Sequence, residues 1–308
     1  MNDPYFTVVV PTYNRAQVIG DTLLSVKQQT FTDFECIIVD DGSDDADELD
    51  RAVEKLNDDR FRVIHQANGG GGAARNAGIE QAAGRHIAFL DSDDKFLPNK
   101  LSIFHARLEQ ETTTDCAYYS FAHVDRGVAG KTWIRPDRAI GDGEAMADYL
   151  FVANQFVQTS TIVMPTELAR AVMFDPALRK GQDLDFCVRA DAAGIRFKTI
   201  EEPLIIWIDI SEVGRTSRQA GASAPQAWLD SHADIMSPRA VLGYRATVLS
   251  YYQPKYKLPI VLYDVVNGVI SAGVPAKVAA RHLLRFCLPR RLYRSLVSLT
   301  IRARGQKS

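Results

Sequence analysis

The chain has 308 residues, 36 Lys and Arg against 38 Asp and Glu, and 46% hydrophobic residues, enough to bury a sizeable core without staples. With 24% charged residues and a formal charge of −2, it is neither a disordered tail nor an overall polybasic nucleic-acid binder. Cys36, Cys116, Cys187 and Cys287 form no C-x-x-C pair, which argues against a disulfide framework or structural zinc and for a reducing compartment.

In chain order, Phe6–Val10 is a continuous β-branched, apolar run stopped by Pro11. A helical pattern follows over about 16–28, with Val18, Ile19, Leu23, Leu24 and Val26 on its inner side. Residues 34–39 read as a second buried strand ending in Asp40-Asp41-Gly42-Ser43, and 46–56 as an amphipathic helix. Residues 61–65 form a third strand, 68–72 a Gly-rich turn, 73–83 a helix and 86–90 a fourth strand, with Pro98 in the first turn of the next helix. Continuously apolar strands alternating with helices predict an α/β fold with a mostly parallel sheet covered on both faces. Ligands in such sheets bind beyond the carboxyl ends of the strands. The middle third is less regular, with strand-like pieces at 116–121, 160–164 and 204–209 and a helix over 183–193. From about residue 225 the chain is helical and proline-punctuated. We expect a catalytic unit over 1–220 and a helical extension over 221–308. No signal-peptide pattern opens the chain, and the apolar stretch 258–274 carries Asp264 and Asn267. A cytosolic protein without a spanning helix is therefore expected.

Three carboxylates leave the fourth strand within four residues: Asp91, Asp93 and Asp94, with Ser92 between. Such crowding is costly unless a cation or hydrogen-bond donors offset it. Hard oxygen ligands on one or two carboxylates suit Mg²⁺ or Mn²⁺ beside substrate phosphates. After strand one, Tyr13 offers a ring face to a base, or the turn is simply closed by Asn14 capping the next helix. Asp41 either accepts from a pyrimidine imide or closes a turn. The run Gly69–Gly72 fits neither G-x-G-x-x-G nor a P-loop, and leaves Arg75 at a helix start, suited to a pyrophosphate or to a surface salt bridge. Asp183, near the start of its helix, either caps it or serves as a base whose charged form the helix dipole favours. Asp185 projects about 200° away, so only one of the two faces a site.

The order of these motifs resembles the inverting glycosyltransferases of family 2, with the GT-A fold, over about residues 1–215. The resemblance is carried by Val9-Val10-Pro11-Thr12-Tyr13-Asn14-Arg15, Val39-Asp40-Asp41-Gly42-Ser43, Ala74-Arg75-Asn76-Ala77-Gly78, Phe89-Leu90-Asp91-Ser92-Asp93-Asp94 and Gly181-Gln182-Asp183-Leu184-Asp185-Phe186. It implies a nucleotide-sugar donor, a UDP-sugar, held by the first, second and fourth motifs and Arg75. In residues, these are Pro11, Thr12, Tyr13, Asn14, Arg15, Asp41, Arg75, Asp91, Ser92 and Asp93. It also implies Mn²⁺ or Mg²⁺ at Asp93 and Asp91, Asp183 as catalytic base, and a glycan or lipid-linked acceptor in surface polysaccharide synthesis. Gln182 stands where the family often has Glu. Thr159-Ser160-Thr161 resembles an acceptor-facing segment, although a buried strand accounts for it equally. Arg215-Thr216-Ser217 lies where a loop often closes over the diphosphate. The reading from a different class is a non-catalytic nucleotide-sugar-binding scaffold of the same fold.

His65, His86 and His105 read as packed or surface histidines, and Trp133 and Trp207 as core. From Pro275 onward there are nine Lys and Arg and no acid, which leaves 27 basic and 38 acidic residues, a net −11, in 1–274. Within 281–304, Leu292, Leu296 and Leu299 share a helical face opposite Arg291, Arg294 and Arg302. That pattern fits an anionic membrane surface at the cytoplasmic face of the inner membrane, with packing on the acidic body as the alternative. No recognition fold for nucleic acid accompanies these arginines.

Overall fold

The computed structural model describes residues 3–127, 132–210, 222–289, 292–293 and 295–296. The chain divides into two units, one of residues 1–125, 134–139 and 157–209, the other of 126–133, 140–156 and 210–308. The second unit thus takes in a segment from the middle of the chain.

The first unit is built on a sheet. The sheet's strands are β1 (Phe6–Thr12), β2 (Phe34–Asp40), β3 (Phe61–His65), β4 (His86–Phe89), β5 (Lys95–Phe96), β6 (Cys116–Asp125), β7 (Thr132–Arg135, of which only 134–135 belong to this unit), β8 (Ile162–Pro165) and β9 (Arg196–Ile208). The order is β3-β2-β1-β4-β8-β6-β9-β5, with β7 on β6. The first four strands are parallel, β8 is antiparallel to β4 and β6, and β9 runs parallel to β6. All seven residues of β1 are buried, as a strand covered on both faces requires. Its neighbours β2 and β4 lie on opposite sides of it, so the strand order reverses at β1. The carboxyl ends there form the crevice where open α/β sheets bind ligands.

Helices α1 (Ile19–Lys27), α2 (Ala46–Glu54), α3 (Gly71–Glu80), α4 (Lys100–Leu108), α5 (Thr166–Val172) and α6 (Gln182–Ala192) complete this unit. Its main core gathers Phe6, Val8, Ile19, Leu23, Ile38, Leu101, Phe104 and Leu204, each worth about 1.5–3 kcal/mol when fully buried. Trp207 is half-buried against it, and Trp133 is half-buried under the Arg126 guanidinium at 4.4 Å. His86 stacks on Tyr5, and burial lowers its pKa to about 4. His105 packs against Tyr5 and Phe31. His65 is surface-placed between Asp40 and Asp50, which raise its pKa.

The second unit holds a π-turn (Asp148–Val152), α7 (Ser223–His232), α8 (Pro238–Tyr244), a π-turn (Arg245–Leu249), α9 (Ser250–Tyr252), α10 (Leu258–Asn267) and α11 (Ala276–Cys287). Ser237 caps α8 by accepting from Ala240 N at 3.0 Å, with Pro238 at the first helical position. Val152, Val261, Val265, Ala272, Val278 and Phe286 form its core. Among the described residues no helix is long and apolar enough to cross a membrane. Residues 215–217, 291, 294, 299 and 302, singled out in the sequence, lie outside the described residues.

Candidate active site

The loop after β1 and the loop after β2 are joined. Asn14 sits at φ 52°, a left-handed conformation that Asn tolerates. Its backbone N–H donates to Ser43 Oγ at 2.8 Å, and its side-chain oxygen accepts from Asp44 N at 2.7 Å. It therefore bridges two loops and does not cap α1, which starts five residues later. Tyr13 beside it is 49% exposed, whereas Thr12 is buried with its hydroxyl unpartnered.

Asp41 is buried and fully engaged. Its oxygens accept from Gly69 N (2.8 Å), Gly70 N (2.7 Å) and Gln66 Nε2 (2.8 Å). The Gly-rich turn hangs from this carboxylate. Gly70 has φ 88°, a left-handed conformation for which glycine is needed.

The three carboxylates after β4 are offset by donors, each in a different way. Asp93 Oδ2 takes Arg15 Nη1 at 2.8 Å and its side chain stays 35% exposed. Asp91 pairs with Arg75 Nη2 and accepts from Gln158 Nε2 at 3.1 Å. Asp94 is fully buried. It accepts from Gln158 Nε2 (2.6 Å), Ser160 Oγ (2.7 Å) and Ile208 N (3.0 Å). Desolvation, with Asp91 and Asp93 nearby, still raises its pKa well above the ordinary value. Beneath this cluster Lys100 is fully buried, its Nζ donating to Ser160 O at 3.0 Å between the rings of Phe96 and Phe104. Desolvation drives its pKa well down. Thr159–Thr161 is a buried 3-10 turn whose Ser160 hydroxyl serves Asp91 N and Asp94. That is a packing role for a segment considered as acceptor-facing.

Asp183 lies in the first turn of α6. The helix is fixed against β4 by aromatic packing: Phe186 stacks on Phe174 at 4.3 Å and meets Phe89 edge-on at 5.9 Å. Asn76 of α3 exchanges two hydrogen bonds with the Phe174 backbone. Asp185 points inward and takes Arg189 at 2.7 Å, which leaves Asp183 as the carboxylate facing the site. Arg75 closes the arrangement. Buried over Phe174, it donates to Gln182 Oε1 at 2.7 Å as well as to Asp91, with its Nε unpartnered. It is thus a strut joining α3, the loop after β4 and α6. Desolvation carries the pKa of Asp183 up to about 6, and Asp91 pushes the same way. The Leu184 N–H and Arg75 oppose this. Burial therefore outweighs the helix-end field expected to favour its charge.

The geometry brings Asp91, Arg75, Gln182 and Asp183 together from three distant stretches of sequence, and adds Arg15 from a fourth through Asp93. Gln158 and Asp94 are organising residues that sequence reasoning did not assign. Gln158 lies in no motif, and Asp94 was read only as part of the acidic run. Among the described residues, no three His, Cys, Asp or Glu side chains converge as a self-sufficient metal site. The partly exposed carboxylates here are Asp93 and Asp91, each paired with an arginine; a hard cation held by them would complete its shell with phosphate oxygens and water.

The family model for glycosyl transferase family 2 matches residues 7–173. The amylovoran biosynthesis glycosyltransferase AmsB of Erwinia amylovora is 32% identical over 268 residues, covering 84% of this chain and 85% of the relative. S. aureus TarS in complex with UDP-GlcNAc superposes with TM-score 0.65 at 18% identity, over 98% of this chain and 93% of that one. The mannosyltransferase PcManGT from Pyrobaculum calidifontis, in complex with GDP-Man and Mn²⁺, superposes at 0.57 with 18% identity, over 97% and 86%. With more than half of its length matched by the family model and its whole fold shared with TarS, the chain belongs to glycosyl transferase family 2, an inverting family of GT-A fold.

Proposed function

We propose that the chain moves a sugar from a nucleoside diphosphate donor, a UDP-sugar, to a hydroxyl of a glycan or lipid-linked acceptor in surface polysaccharide synthesis. The observation that carries this reading is the convergence of Asp183 with Asp91 across the Arg75–Gln182 strut. A carboxylate with pKa near 6 is mostly ionised at neutral pH yet basic enough to take a proton. In a single displacement the acceptor oxygen attacks the anomeric carbon, and its proton passes to Asp183. The bond to the diphosphate breaks with its electron pair, and the anomeric configuration inverts.

Pro11, Thr12, Tyr13, Asn14, Ser92 and Asp41 form or brace the surface on which the nucleoside would lie, with the Tyr13 ring as its stacking face. Asp91 and Arg15 stand toward the sugar and diphosphate side. Asp93, with Asp91, would hold Mn²⁺ or Mg²⁺, and the ion supplies charge neutralisation of the leaving diphosphate. AmsB acts in amylovoran biosynthesis, which supports the polymer class. The cationic stretch 281–304 supports work at the cytoplasmic face of the inner membrane, where a lipid-linked acceptor is presented.

A thermal-shift panel of nucleotide sugars with and without Mn²⁺, followed by donor hydrolysis, tests the reading. A UDP-sugar is expected to raise the midpoint most when Mn²⁺ is present. Slow Mn²⁺-dependent hydrolysis is expected in the natural chain and lost in Asp93→Ala. A chain that binds donors but never turns them over would be the scaffold instead.

A further inference from the structure

Helix α10 and the π-turn after it (Gly268–Ala272) turn one face inward: Val261, Asp264, Val265, Gly268 and Ala272 are buried. Asp264 pairs there through Oδ1 with Arg245 at 3.1 Å, while its Oδ2 is buried without a partner. The opposite face would be polar on an ordinary surface helix. Here every exposed residue from 258 to 270 is apolar or aromatic: Leu258, Pro259, Ile260, Leu262, Tyr263, Val266 and Ile270. Tyr263 is 67% and Ile270 77% exposed, and Tyr256 one turn ahead is 80% exposed. A contiguous apolar strip of this kind marks an interaction surface.

The charges around the strip say what covers it. Lys255 and Lys257 precede the helix, and Lys277, Arg281 and Arg285 lie on α11, which shares a core with α10. Beyond Asp234 the only acid in the sequence is Asp264, and it is buried and paired. A second copy of the chain docked by a two-fold axis would set these cations against themselves. An anionic bilayer instead meets the apolar strip with acyl chains, the two tyrosines with its interfacial zone and the lysines with its headgroups.

We propose that the outer face of α10, with Tyr256, seats the protein on anionic lipid, inserted to the depth of the headgroup–acyl boundary and not spanning it. The inference rests on the reading that places the enzyme at a bilayer, and it assigns the apolar grip to a helix distinct from the basic stretch 281–304.

The test is flotation of the full chain with vesicles of phosphatidylglycerol mixed with phosphatidylcholine, against phosphatidylcholine alone. The natural chain is expected to float with the anionic vesicles only. The variant Tyr263→Ser/Val266→Ser/Ile270→Ser is expected to lose about tenfold or more in partitioning, while its UDP-sugar thermal shift stays as in the natural chain. Single Ile270→Trp, compared with the natural chain, should shift its emission to the blue with anionic vesicles. Equal flotation of the triple variant, or an unshifted Trp, overturns this inference alone. So does loss of flotation in Leu292→Ser/Leu296→Ser with none in the triple variant. Absence of flotation in the natural chain overturns the bilayer reading too. A dimer in light scattering that the triple variant dissolves, without vesicle binding, gives the face to a second copy and also sinks the proposal.

Discussion

The rim of the sheet and the outer face of α10 are opposite solutions to exposure. At the rim, Asp41, Asp91, Asp93 and Asp94 would repel one another, yet each has protein donors assigned to it. On α10 a row of large apolar side chains stays more than a third exposed. Polar groups near a reaction centre must be held in place by the protein, because an unpaired buried carboxylate costs several kcal/mol. Apolar groups at a docking surface need no such support, because their partner comes from outside. The rim should therefore be sensitive to substitution in the isolated protein, and the helix face should not.

The sharpest way to break that contrast is at Asp183. Asp183→Asn is expected to lower transfer by about 10³-fold. In the natural chain, kcat/KM should rise with pH through about 6 as the base loses its proton. The stability effect runs the other way. A carboxyl whose folded pKa lies above its unfolded value contributes stability below pH 4 and loses it as pH rises through about 6. The Asn variant should therefore melt higher than the natural chain at pH 8, by about 2 kcal/mol, with the gap closing by pH 4. Thermal melts at the two pH values and an initial-rate profile measure both.

Gln158→Ala comes next. It removes the amide shared by Asp91 and Asp94 and leaves a buried carboxylate short of a donor. We expect about 2 kcal/mol of destabilisation and a drop in kcat of about tenfold, read by denaturant unfolding and donor turnover. Asp41→Asn turns one acceptor toward two backbone N–H donors of the Gly turn. A loss of about 1.5 kcal/mol and a raised KM for the donor should follow, with kcat close to natural. Smallest of all, Ile270→Ser should change the thermal midpoint in lipid-free buffer by under about 0.5 kcal/mol equivalent. A loss there as large as that of Gln158→Ala would mean that the face is packed within the protein, and the contrast would fail.

Much of the rim was legible because its physics is local in sequence. Apolar runs that give way at Asp40 and Asp91 mark strand ends, whereas Pro11, expected to stop the first run, lies inside β1, which continues to Thr12 paired with Asp40; residues just past strand ends must line the crevice. The aspartate at the start of α6 could be placed in a first turn, but its separation from Asp91 is a property of the Phe89–Phe174–Phe186 stack. No periodicity encodes that. Gln158 was invisible for the same reason: an isolated amide between strands has no pattern until Asp94 is seen buried beside it. The long strand β9 was read only at its end, 204–209, because Glu201, Glu202 and Pro203 interrupt its apolar character. Burial of Lys100 contradicts what a lysine at a helix start usually does. In α10, the apolar stretch broken by Asp264 and Asn267 argued only against a spanning helix, and the exposure of its outer face is visible only in the fold.

Asn14 and Asp44 lock the turns after β1 and β2 into one slab, and Ala16 N donating to Asp45 at 2.9 Å extends the seam. Two loops that would otherwise wander independently thus share a single set of motions. On the proposed reading, a flat ring stacking on Tyr13 would meet a floor already tied together by folding, so that little ordering would be left to accompany its arrival.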